Sequence, residues 1–192
     1  IEPIGKWVLH TACRQMQEWL DAGLLLKHMA VNVSGVQIQR GSFVLTVREV
    51  LEETGLDPRR LELEITESFI MQKADWAIGI LGQIKRLGVR MAIDDFGTGY
   101  SSLSYLKRLP VDKLKIEGSF IRDVPHDSND AAIVRAIVAL GQTLQLEVNA
   151  EGIETEHQHA FLLSLGCDEG QGFFYSKALP AEHFEKLIRP GA

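Results

Sequence analysis

Positive charge is in short supply in this chain. Twenty Lys and Arg stand against 26 Asp and Glu, a formal net charge of −6 with the six histidines neutral. A nonspecific DNA or RNA polymer partner needs a basic footprint, so that class is excluded. Cysteine is scarce too: Cys13 and Cys167 form no CxxC pair. That argues against a disulfide framework and for two packed, reduced thiols in a cytoplasmic setting. No apolar run is long enough to span a bilayer and no signal peptide is visible, which leaves open whether a parent protein is membrane-anchored. Neither GxGxxG nor GxxxxGK[ST] follows any strand signal, so the nucleotide folds that depend on those loops lose their best sign. The histidines avoid the strand ends, which argues against a His-rich zinc site. There is no initiating Met; the chain opens at Ile1 inside a helix-like pattern and reads as a cut from something larger.

What is present is a β/α alternation. Hydrophobic residues make up 45% and charged residues 24% of 192 positions, enough for one domain over 1–192 with a substantial core. Helical spacing of Trp7, Val8, Ala12, Met16, Trp19 and Leu20 predicts a helix over Ile4–Leu20. Further helices are expected at Ser42–Glu53, Ser68–Leu87, Ser101–Arg108, Asp127–Leu144, Thr155–Leu165 and Ala181–Ile188. Strands are expected at Met29–Val33, Leu61–Ile65, Val89–Ile93, Lys113–Ile116, Glu147–Ala150 and Asp168–Phe173. This order predicts an α/β fold with a parallel sheet. A closed β/α barrel has eight strands and about 250 residues, so six signals suggest a barrel without its first two strands. An open doubly wound sheet is the alternative.

The strands end in polar residues. Asn32, Glu64, Asp94, Asp95, Lys115, Glu151 and Gln171 lie at or just after strand ends, with Glu67 and Glu154 close behind. In a β/α barrel those ends form one rim, where the active site sits. Alternation places Asn32, Glu62, Glu64, Asp94, Lys113, Lys115, Asn149 and Glu151 opposite the apolar residues of their strands. Polar side chains on an inward face are costly unless something pairs with them. Oxygen ligands alone favour Mg²⁺ or Mn²⁺ over zinc. The adjacent acids Asp94 and Asp95 suit a bridge between two ions, and two ions about 3.5–4 Å apart suit phosphodiester hydrolysis. Lys115 would hydrogen-bond the attacking hydroxide or neutralise phosphorane charge. Each residue alone has a plainer use: a strand-end acid as a helix N-cap, a lysine as an ion-pair partner, Asn32 as a loop-ordering amide.

Longer blocks carry a resemblance. Glu64-Ile-Thr-Glu67-Ser68, Asp94-Asp95-Phe96-Gly97-Thr98-Gly99-Tyr100-Ser101-Ser102-Leu103, Leu109-Pro-Val-Asp-Lys-Leu-Lys115-Ile, Glu151-Gly-Ile-Glu154-Thr and Gln171-Gly-Phe173 together resemble the EAL domain, the bacterial cyclic di-GMP phosphodiesterase family. The resemblance covers essentially the whole chain. It implies an EAL-type modified TIM barrel that hydrolyses cyclic di-GMP to linear pGpG with two Mg²⁺ or Mn²⁺ ions, by attack of a metal-bound hydroxide. It implies metal ligands at Asn32, Glu64, Asp94, Asp95 and Glu151, a water-contacting Lys115, and support from Glu154 and Gln171. It implies that Glu67 holds the loop Asp95–Ser102, including Phe96, Gly97, Thr98, Gly99 and Tyr100, which links the site to a homodimer interface. Upstream sensory or GGDEF domains are expected in the parent.

The Glu-Ala-Leu signature itself is absent and is expected upstream of Ile1. Smaller departures are Glu117 for a usual Asp, Asn149 for a small apolar residue, Ala178 for a common Pro and Gly35-Val36 for Ala-Arg. Alternatives are a receptor that binds cyclic di-GMP without cutting it, a chain inactive for want of the signature Glu, and another metal-dependent phosphoesterase.

Overall fold

Helices and strands alternate along the chain from α1 (Glu2–Asp21) to α10 (Ala181–Ile188). The computed structural model describes residues 2–39, 41–99 and 103–189. Six strands, β1 (Met29–Asn32), β2 (Leu61–Thr66), β3 (Arg90–Phe96), β4 (Lys113–Ile116), β5 (Glu147–Ala150) and β6 (Glu169–Gly170), neighbour one another in chain order. The chain divides into two units, one drawn from 1–65, 75–91 and 178–192, the other from 66–74 and 92–177.

In the first unit α1 packs on β1 and on α3 (Phe43–Thr54). Its buried stripe is Leu9, Cys13, Met16 and Trp19, while Trp7 is 66% exposed. Val8 too is exposed, so two of the apolar residues whose spacing predicted the helix lie off its buried stripe. At about 100° per residue, Trp7 lies on the opposite side of the helix from Met16. β1 pairs with β2 in parallel, Asn32 opposite Glu64. Beneath them Glu62, 1% exposed, accepts from Arg90 Nε at 3.2 Å and lies 3.4 Å from His28 Nε2. That buried acid is therefore satisfied by ion pairing.

In the second unit β3 pairs with β4, β4 with β5 and β5 with β6, all parallel. Helix α8 (Ser128–Leu144) packs on β4 and β5. A Cβ on its Gly141 would overlap Val148 Cγ2, so glycine there permits the close helix-on-sheet approach. Asp127 caps α8, accepting from Asn129 N at 2.8 Å and Asp130 N at 3.0 Å. Lys113, 1% exposed, is paired 2.6 Å from Glu169.

Some elements differ from the expectation, among them β3, which starts one residue later and runs on to Phe96. The helix over Ser68–Leu87 is two helices, α4 (Glu67–Gln72) and α5 (Ala74–Lys85), broken at Lys73, whose φ of −144° is not helical. Each piece packs in a different unit. Strand β6 is shorter than Asp168–Phe173, because the chain turns at Gln171-Gly172 to bond with Ile153. Short helices α2 (Gly35–Gln39) and α7 (Gly118–Arg122) occupy stretches to which the sequence assigned no helix or strand; too few residues lie in each for a helical period to show. Helix α6 covers Leu103–Leu106, and α9 covers Glu156–Leu165. The expected start at Ser101 falls outside the described residues. None of the described helices is long and apolar enough to cross a membrane.

Candidate active site

The expected site residues fall into two groups, one in each unit. In the first, Asn32 and Glu64 close β1 and β2 as register partners, and Val33 N donates to Glu64 O at 2.9 Å. Glu64 is buried and Asn32 exposed.

The second group centres on Lys115. Its ammonium lies 3.0 Å from Asp94 Oδ1 and 2.7 Å from Glu151 Oε1, and its side chain is 3% exposed. These three side chains come from the C-terminal ends of β3 and β4 and from the residue following β5. Asp94 and Asp95 sit where the β3–β4 register shifts. Ile93 pairs with Leu114 and Phe96 with Ile116, so two acids stand opposite the one residue Lys115. This is a β-bulge, and Asp95 adopts a φ of +54° within it. Regular alternation would send the two acids to opposite faces; the bulge removes that constraint. Its sign in the sequence is the apolar slip from Met91 and Ile93 to Phe96 rather than to position 95.

Burial first, then the Asp94 and Glu117 carboxylates, push the Asp95 carboxyl above its usual range, against the opposing pull of Lys115. Glu117 N-caps α7, accepting from Ser119 N at 2.9 Å and from the Ser119 hydroxyl. Asp94 Oδ1 is buried and accepts no hydrogen bond, although the Lys115 ammonium is 3.0 Å away. The contact is therefore Coulombic without hydrogen-bond alignment, and the oxygen keeps acceptor capacity for a cation. Crowded carboxylates with only oxygen donors match a hard divalent ion. Among the described residues no three His, Cys, Asp or Glu side chains converge as a ready-made metal cage. The fit is one of donor chemistry and of an unfilled acceptor.

Glu67, fully buried, accepts from Gly97 N at 2.8 Å, and Gly97 takes a φ of +101° that favours glycine. A Cβ on Gly99 would come within 3.0 Å of Glu67 Oε1. Thr98 donates through its hydroxyl to Asp95 O at 2.9 Å, and Phe96 is buried. Tyr100, Ser101 and Ser102 lie outside the described residues.

Glu154 and Gln171 have exposed side chains, and their backbones are fixed. Gln171 N donates to Ala150 O at 2.8 Å, Ile153 N to Gln171 O at 3.0 Å and Phe174 N to Ile153 O at 2.9 Å. Glu154 N and Thr155 N both donate to the side chain of Gln158 on α9. Sequence reasoning missed Gln158. The signal was the Thr155-x-x-Gln158 capping box, a helix-start signature with no chemical content of its own. Also missed was the Tyr175 hydroxyl, 2.9 Å from His159 Nδ1, in the segment after Gln171.

Among proteins of known family, the EAL domain description matches residues 1–178. The bifunctional diguanylate cyclase/cyclic di-GMP phosphodiesterase MucR of Pseudomonas aeruginosa is 53% identical over 182 residues, 95% of this chain and 27% of that protein. The cyclic di-GMP phosphodiesterase NbdA of the same organism is 44% identical over 189 residues, 98% of this chain and 24% of that protein. The chain thus spans about a quarter of the length of these curated relatives. A solved structure of PaMucR phosphodiesterase in complex with c-di-GMP superposes with a TM-score of 0.92 at 53% identity, covering 95% of this chain and 74% of that one. At that likeness the parallel α/β arrangement is of the modified TIM-barrel class expected from the sequence.

Proposed function

The chain belongs to the EAL domain family, and from that premise we propose that it forms part of the domain with which a longer bacterial signalling protein hydrolyses cyclic di-GMP to linear pGpG. The observation that carries this reading is the Lys115 clasp: a buried ammonium held by Asp94 and Glu151 beside the bulged Asp94-Asp95 pair. Asn32, Glu64, Asp94, Asp95 and Glu151 would hold two Mg²⁺ or Mn²⁺ ions. When bound, such ions supply Lewis acidity to the phosphoryl oxygens and activate water near neutral pH.

The chain's own residues supply the rest. The Lys115 ammonium donates to the attacking water and offsets the negative charge that builds on the phosphoryl oxygens. Glu154 accepts a proton from that water, and the Gln171 amide orients it. The water oxygen joins phosphorus, the phosphorus bond to the 3′ oxygen breaks, and that oxygen leaves with a proton. One water is consumed and the ring opens.

The same reading includes a homodimer formed through the loop 95–102, with Glu67 at its base. It also includes sensory or GGDEF domains elsewhere in the longer protein. The test is chromatographic turnover of cyclic di-GMP by the protein that carries this chain, with Mg²⁺ or Mn²⁺, and its loss in Glu151→Ala. Normal turnover in that variant sinks the assignment. The alternative, a receptor that binds the dinucleotide uncut, is separated by the same assay. Tight binding without turnover in both metals would favour it.

A further inference from the structure

The loop after β5 carries Glu151 and Glu154 and is tied down through several of its backbone groups. Glu151 N donates to Ile116 O at 3.2 Å, and Ile153 exchanges bonds with Gln171 and Phe174. The remaining ties converge on one side chain, Gln158, which is 5% exposed. Its Oε1 accepts from Glu154 N at 2.8 Å and from Thr155 N at 2.9 Å. Its Nε2 donates to Arg122 O at 2.9 Å. Arg122 ends α7, the helix that Glu117 caps two residues after Lys115.

A helix cap needs only part of this. The capping box of α9 is complete with Thr155 Oγ1 accepting from Gln158 N and Gln158 accepting from Thr155 N. The bond from Glu154 N and the reach across 36 residues to Arg122 add nothing to the cap. They join the loop that bears Glu151 and Glu154 to the helix that follows Lys115. A buried amide that satisfies both its oxygen and its nitrogen in this way has one low-energy arrangement, and leaving either end unpaired is costly.

We propose that Gln158 is a positioning residue for the phosphodiester reaction, presetting the backbone of Glu154 against α7 and acting through Glu154. The proposal rests on the hydrolytic reading above and extends it to a residue outside the acid cluster. Side chains that orient a catalytic group from behind commonly cost about 10–100-fold in activity when lost.

The experiment is a double-mutant cycle on turnover, with amide exchange as a readout independent of activity, in the protein that carries this chain. Gln158→Ala is expected to lower kcat about tenfold with KM nearly unchanged, and to add less than about twofold in a Glu154→Ala background, the signature of coupled residues. Gln158→Glu keeps both acceptor bonds and loses the donation to Arg122 O, so an intermediate loss is expected. Exchange should quicken at the amides of Glu154 and Thr155 and stay unchanged at Lys115 and Ile116. An equal kcat loss with and without Glu154 overturns the proposal, as does unchanged exchange at Glu154 and Thr155. If Gln158→Ala does not fold, Gln158→Met, which keeps the side-chain volume and loses all three bonds, decides by the same two criteria. Absence of turnover in the unaltered protein refutes the hydrolytic reading and, with it, the role in catalysis; exchange then decides only whether Gln158 sets the loop.

Discussion

Replacing Gly172 by Ala tests how the Gln171 segment is held. A Cβ at position 172 would overlap the backbone O and N of Ile153 and lie 2.7 Å from its carbonyl carbon. Ordinary carbon contacts sit at about 3.5–4 Å, so the segment must retreat by roughly 1 Å, and backbone atoms cannot rotate aside as a side chain can. The retreat breaks the bond from Ile153 N to Gln171 O, now 3.0 Å, and that from Phe174 N to Ile153 O, now 2.9 Å. Each bond contributes about 1 kcal/mol net. Partial exposure of the Ile153 side chain, now 1% exposed, adds about 1–2 kcal/mol. The expected loss is about 3–4 kcal/mol, read as a lower urea midpoint at unchanged slope. For a chain of this size that corresponds to a fall in Tm of roughly 10 °C. Gly118→Ala is the control, since its Cβ would meet Glu151 O at an ordinary 3.6 Å. A Gly172→Ala midpoint equal to that of Gly118→Ala would refute the reasoning.

Lys115→Met is expected to lower kcat at least about 100-fold, the low end for losing a donor that offsets charge developing in the transition state; a loss under about threefold in steady-state assays would remove Lys115 from the mechanism. Lys113→Met removes a buried ammonium 2.6 Å from Glu169 and is expected to cost about 3 kcal/mol in urea unfolding. Turnover per folded molecule should stay near normal, because Lys113 lies below the strand ends. Glu67→Ala should speed exchange at the Gly97 amide, which donates to Glu67; unchanged exchange would mean the loop is held elsewhere. Burial pushes the Cys13 thiol up to about 12 and the Cys167 thiol up to about 11 from an ordinary 9.0. A raised folded value favours the neutral thiol, so the stability it lends is full below pH 9 and drains as pH rises through 11 and 12. Ultraviolet titration should show thiolate in the folded chain only near those upper values, and near 9 in denaturant; folded titration near 9 would refute the burial argument.

The strands were legible because their signal is local. Lys113–Ile116 and Glu147–Ala150 match to the residue, and both alternate apolar with polar side chains. That Lys115, Asp94 and Glu151 share the polar face of their strands was implicit in that alternation; which of them pair was not. The split at Lys73 was not, since the stretch 68–87 has continuous helical character and its break reflects packing into two units. The β3 bulge left only a one-residue slip in the apolar pattern. Gln158 was invisible as a site residue, because its partners at Glu154 and Arg122 are backbone groups and any residue type supplies those.

By itself, the order of amino acids determined the α/β class, the oxygen-only donor set and the run of acids, amides and a lysine at strand ends. Periodicity and side-chain chemistry are properties of short stretches and survive without a fold. Tertiary structure decided which groups meet. It set Lys115 between two particular carboxylates, placed Asp94 and Asp95 opposite a single residue by a bulge, and brought Gln158 to Arg122 from 36 residues away. Those choices depend on strand register and on the close approach of distant backbones, and such contacts pay their ordering entropy only once the sheet has formed.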